Sequence, residues 1–117
     1  MEGPANPFGP EENPLESDAP ETWDRLIEAV GPDSMLVVIG TRLGATLRRT
    51  VTPEDVWQET LLHAWRDRTR CKWRGLSEFR RWLLRIAERR VQDLADQEGA
   101  LKRGGAVATV PFSALRG

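Results

Sequence analysis

Apolar residues recur along this chain at intervals of three and four, the period of a helix face rather than of a strand. Trp23, Leu26, Ile27 and Val30 make the first such face and predict a short amphipathic helix from Glu21 to Val30. Gly31-Pro32 stops it, since glycine accepts a left-handed cap and proline cannot extend the ladder. Asp33 or Ser34 is placed to cap a second helix, carried to about Arg49. Its opening, Met35-Leu36-Val37-Val38-Ile39, is β-branched enough for a strand, but Ile39, Leu43 and Leu47 continue at four-residue steps and favour helix. Gly40 and Gly44 cost such a helix about 1 kcal/mol each relative to alanine. Close approach by a neighbouring helix is the expected return.

Thr52-Pro53-Glu54-Asp55 is a strong helix start: threonine caps, proline occupies a position that needs no donor, and acids fill the first turn. From there Trp57, Leu61, Ala64 and Trp65 share one face, which reads as core. Asp55, Gln58, Glu59 and Leu62 share another. That second face mixes acid, amide and an exposed leucine, which suits a partner-binding patch and also a solvated surface.

Periodicity breaks at Arg68–Leu76, where Arg68, Arg70, Lys72 and Arg74 alternate with Thr69, Cys71 and Trp73 before Gly75. A basic loop carrying one aromatic can hold nucleic acid through phosphate contacts and base stacking. Alternatively, Trp73 folds inward and the charges keep the loop wet. Ser77 is then expected to cap a helix running to about Gln97, with Phe79, Leu83, Ile86, Val91 and Leu94 on its packing face. Arg81, Arg85 and Arg89 recur every four residues on another side, with Trp82 beside them. Guanidiniums one turn apart, about 6 Å, suit phosphates or base edges. Glu78 and Glu88 are the acids that would neutralise such a row.

These elements predict an all-α fold: a compact small bundle of three main helices plus a short N-terminal helix, over residues 21–98. The flanks read differently. Residues 1–20 hold five prolines and five acids with only Phe8 and Leu15 as sizeable apolar groups, so they are expected to be a disordered leader. Residues 99–117, punctuated by Gly99, Gly104 and Gly105, are expected to be a flexible tail.

Charge sharpens this picture. The net charge is −1, yet residues 1–34 hold nine acids against Arg25, a net of −8, while residues 66–90 hold ten Lys/Arg against Asp67, Glu78 and Glu88, a net of +7. Such segregation points to a polyanionic partner for the basic half, with the acidic leader as a candidate internal mask. A single cysteine, Cys71, excludes an internal disulfide, and the absence of a secretory leader or long apolar run predicts a cytoplasmic protein with no membrane partner. Catalytic chemistry has little to stand on. His63 and Cys71 fall on different elements, no metal-ligand spacing or phosphate-cradling loop occurs, and Glu54/Asp55 and Asp93/Asp96 read as a helix start and a wet face. No enzyme, metal site or cofactor is expected.

The stretch Glu54-Asp55-Val56-Trp57-Gln58-Glu59-Thr60, followed by Ala64-Trp65-Arg66, resembles the core-polymerase-binding helix of bacterial sigma factors of the extracytoplasmic-function (ECF) type. Arg74-Gly75-Leu76-Ser77-Glu78-Phe79-Arg80-Arg81-Trp82-Leu83-Leu84-Arg85-Ile86-Ala87 is similar to that family's promoter-reading helix and the turn before it. The likeness covers roughly residues 34–96, the family's region 2. It implies that Asp55, Gln58 and Glu59, with Leu62 on the same face, dock on a coiled coil of the largest subunit of RNA polymerase. It implies that Lys72, Trp73, Arg74 and Gly75 take a base flipped from the melted −10 element, and that Arg81, Trp82, Arg85 and Arg89 lie against −10 DNA. Arg89 stands where many relatives carry a shorter residue such as asparagine. A complete member continues into a helix-turn-helix that reads the −35 element, expected to be absent from residues 1–117, and an anti-sigma partner is expected for the family. The competing readings are a helical DNA-binding regulator independent of polymerase, and a protein-interaction module.

Overall fold

A computed structural model describes residues 13–104, with side chains through Leu101. Four α-helices carry it: α1 (Pro20–Val30), α2 (Pro32–Arg42), α3 (Pro53–Arg66) and α4 (Leu76–Gly104), with short 3-10 turns at Pro14–Glu16, Leu47–Arg49 and Arg68–Arg70. No strand occurs among the described residues. The all-α expectation therefore holds, and the opening of α2 is helical despite its β-branched run.

The core follows the four-residue steps read from the sequence. Leu26 and Val30 enter from α1, Met35 and Ile39 from α2, Val56, Trp57, Thr60 and Ala64 from α3, and Phe79, Leu83, Ala87 and Val91 from α4. Buried Thr60 is satisfied because its hydroxyl donates to the carbonyl of Val56 at 2.7 Å. Ile86 and Leu94, expected on α4's packing face, are only partly buried against the core, whereas Ala87 is fully buried. Trp65, expected in the core, is likewise half-buried at the edge.

Several boundaries differ from expectation, each for a local reason. The second helix ends at Arg42 rather than near Arg49, with Leu43 extended. Leaving the helix there lets both Leu43 and Leu47 turn into the core. The Arg48 guanidinium donates to the carbonyl of Gly40 at 2.7 Å, replacing the bond that a continuing helix would make. Gly40 is indeed approached closely, but by Arg48 and Pro53 rather than by a helix backbone; Gly44 lies outside the helix in open space. The cap of α2 is Gly31 in the left-handed region (φ +88), not Asp33 or Ser34, and Ser34 donates back to the Gly31 carbonyl.

Gly75, not Ser77, begins α4: its φ of +101 is open to glycine at little cost, and its carbonyl accepts from Phe79 at 3.1 Å. At the other end α4 runs to Gly104, past the expected stop near Gln97, so the proposed tail begins as helix; residues 105–117 lie outside the described residues.

The leader also needs correction. Residues 1–12 lie outside the described residues, but Leu15 is only 1% exposed and belongs to the core. Asn13 accepts from the backbone of Leu15 at 2.9 Å, and Ser17 accepts from Ala19 at 3.1 Å, so side-chain bonds fold this segment inward. Asp18 then pairs with Arg68 at 2.8 Å, closing the segment onto the basic connector. The capping box of α3 forms as expected, Thr52 and Asp55 each accepting from the other's backbone.

Candidate nucleic-acid and partner interface

The α3 face expected to meet a partner is outward. Asp55, Gln58, Glu59 and Leu62 are all exposed, and Leu62 is 65% exposed, a large apolar surface for a helix that buries its opposite side. Leu62 stands where three grooves meet: an apolar one of about 420 Å³ with Trp23, Leu61 and Trp65, a smaller one with Val51, Asp55 and Leu94, and a basic one toward α4. Two of the acids already have work inside the molecule. Asp55 closes the capping box, and Glu59 forms an ion pair with Arg90 of α4.

The connector is built on an aromatic cluster that the sequence did not reveal. Phe79, 1% exposed, lies 6.2 Å from Trp23, 6.0 Å from Trp73 and 5.8 Å from Trp82, measured between ring centroids. Trp23 meets Trp65 edge-on at 5.2 Å, and Arg68 stacks over the Trp65 ring at 3.7 Å. Trp73 is thus neither free nor fully buried: it is half-buried against Phe79, between Lys72 and Arg74, which are exposed. Trp82 is half-buried in the same way. Gly75 follows with the backbone turn that launches α4.

Arg81, Arg85 and Arg89 all project outward from α4. Arg81 is held by Glu78 at 3.2 Å, one turn away. Glu88 turns the other way and pairs with Arg42 at 2.9 Å, so it does not compensate Arg85 or Arg89. Arg80 serves the fold, donating to the carbonyl of Val30 and the hydroxyl of Ser34. The basic half thus divides into two sets. Arg68, Arg80, Arg81 and Arg90 have partners within the chain. Arg66, Arg70, Lys72, Arg74, Arg85 and Arg89 pair with no carboxylate among the described residues.

Arg85 and Arg89 line a groove of about 730 Å³ between α3 and α4, with Trp82 and Ile86 on their own helix and Leu62, His63 and Arg66 on the facing one. His63 is exposed and lies 3.1 Å from Asp67, in keeping with a surface residue on that helix. Arg66 was not singled out in the sequence, although it lies one turn beyond Leu62 and a helical count could have found it. Burial raises the Cys71 thiol above its ordinary range, and the nearby Arg85 charge partly offsets this. Among the described residues no group of side chains could hold a metal ion, and no helix is long and apolar enough to cross a membrane.

The class defined by this geometry is a small all-α domain with an acid-and-amide helix face set beside a groove whose arginines outnumber its acids, Glu59 and Asp93. The chain belongs to the Sigma-70 region 2 family, whose profile matches residues 35–100, more than half of its length. It is accordingly a sigma factor domain, of a non-enzymatic family of transcription factors that interact with core RNA polymerase and promoter DNA in promoter recognition. No curated protein and no solved structure matches it.

Proposed function

We propose that this domain, of the ECF type, docks on core RNA polymerase in the cytoplasm and opens the −10 promoter element on its basic side. Asp55, Gln58, Glu59 and Leu62 form the docking face for a coiled coil of the largest subunit. Lys72, Trp73, Arg74 and Gly75 receive a base extruded from the non-template strand. Extrusion costs a few kcal/mol, which stacking and phosphate contacts at the connector can offset. Arg81, Trp82, Arg85 and Arg89 then follow the strand along α4. An anti-sigma partner, expected for the family, would cover these faces before docking.

One observation carries the reading: Arg85 and Arg89 line a groove beside half-buried Trp82, with no carboxylate partner among the described residues. Guanidiniums placed to stabilise the fold would be paired, as Arg68, Arg80 and Arg90 are. The test separates the two surfaces. Replacing Asp55, Gln58 and Glu59 together by alanine should abolish capture of core polymerase while leaving binding to a single-stranded −10 oligonucleotide largely intact. Retention of polymerase capture would remove the docking assignment and favour a regulator that acts without polymerase.

A further inference from the structure

The expected DNA contacts lie on the connector and on α4, yet the groove that α4 borders has a second wall. After Arg66 the chain turns through the connector, and α4 doubles back along α3. Glu59 of α3 therefore meets Arg90 of α4 at one end of the groove, and that ion pair leaves little net charge there. Toward the connector end, α3 contributes Arg66, its last residue, exposed and without a carboxylate partner among the described residues. From α4 the same groove is lined by half-buried Trp82, by Arg85, and by Arg89 next to Arg90, with the carboxylate of Asp93 one turn further on. Three guanidiniums without a carboxylate partner on two walls, with a tryptophan among the lining residues, fit a single-stranded phosphodiester chain: cations meet phosphates and an indole can offer a stacking face.

We infer that Arg66 is a further strand-binding residue, and that the melted strand is held between α3 and α4 rather than along α4 alone. This rests on the DNA-binding reading above and extends it to the helix that carries the polymerase-docking face. A charge on the opposite wall restrains the strand from two sides. It also makes α3 common to both partners. The Glu59–Arg90 pair neutralises the far end of the track, so Arg66 and Arg85 carry the charge toward the connector.

The experiment is a salt titration of fluorescein-labelled single-stranded DNA of mixed sequence, read by anisotropy, with the full chain. Arg66→Ala should weaken binding about two- to fivefold at low salt, as loss of one exposed ion pair does. It should also reduce the steepness of log K against log salt by about 0.7, the value of one phosphate contact on a single strand. Arg66→Lys should restore most of the slope. Arg85→Ala serves as the reference from α4, and circular dichroism checks that each variant is folded. A slope unchanged in Arg66→Ala but reduced in Arg85→Ala overturns the inference while leaving the DNA reading in place. Absence of wild-type binding at the lowest salt overturns both. Binding of a polyglutamate peptide that matches the oligonucleotide in affinity and in dependence on Arg66 would assign the groove to an acidic protein segment, which also overturns the inference.

Discussion

Leu15 offers the sharpest test of how the N-terminal segment is held. It lies in a stretch of prolines and acids, yet its side chain is as buried as Phe79. Truncation to alanine removes buried methyl groups and leaves a cavity, a change that costs about 2–5 kcal/mol in protein cores. Residues 13–19 are a short segment outside the helices, so the site can partly collapse, and a value of about 2–3 kcal/mol is expected. For a domain of this size, each 1 kcal/mol shifts Tm by about 4–8 °C, so Leu15→Ala should lower Tm by about 10–20 °C. Asp18→Ala is the internal control. Asp18 is 91% exposed although its partner Arg68 is only 16% exposed, and the solvent-screened carboxylate creates no cavity when removed, so its effect should be smaller. Thermal unfolding followed by circular dichroism at 222 nm measures both. A Leu15→Ala midpoint within about 3 °C of wild type, less than 1 kcal/mol for such a domain, would refute the packing of this segment into the core.

Other perturbations probe the connector. Trp73→Ala should weaken single-stranded DNA binding by about 1–3 kcal/mol and also lower Tm, because the ring rests on Phe79; a lowered Tm with unchanged affinity would make Trp73 purely structural. Gly75→Ala should destabilise the domain by about 1–2 kcal/mol, since φ of +101 strains any residue with a Cβ even though the space is open; an unchanged urea midpoint would contradict the turn. The Cys71 thiol should react with a disulfide reagent only at higher pH than an unstructured cysteine peptide, burial having raised it more than Arg85 lowers it. The sign carries into stability: a raised folded-state value means full stability below the ordinary thiol range and a loss as pH rises through the raised value. Cys71→Ser should remove that alkaline loss, and a Tm profile identical to wild type would exclude the assignment.

Much of the architecture was legible because α3 and α4 are locally self-consistent. Thr52-Pro53 and Asp55 specify one helix start without outside help, and Phe79, Leu83 and Val91 mark a buried stripe by spacing alone. Leu15 was illegible for the opposite reason. One leucine among prolines has no period, and its burial depends on a surface assembled from α1 and the connector turn. The end of α2 was hidden in the same way, since the group that satisfies the Gly40 carbonyl comes from Arg48, outside the helix.

Charge was only half readable. The segregation is visible in composition, but composition cannot say which arginines are consumed by the fold. The structure makes that division: Arg80 reaches Val30 and Ser34, Arg68 reaches Asp18 and Trp65, Arg90 reaches Glu59, and Glu88 is drawn away to Arg42. What remains uncompensated in the groove is a different set from the sequence row, because Arg81 is paired with Glu78 while Arg66 joins Arg85 and Arg89 from the facing helix. Only Arg85 and Arg89 of the row read at four-residue steps line the cleft, and the cleft, not the row, is the unit whose charge a ligand would meet.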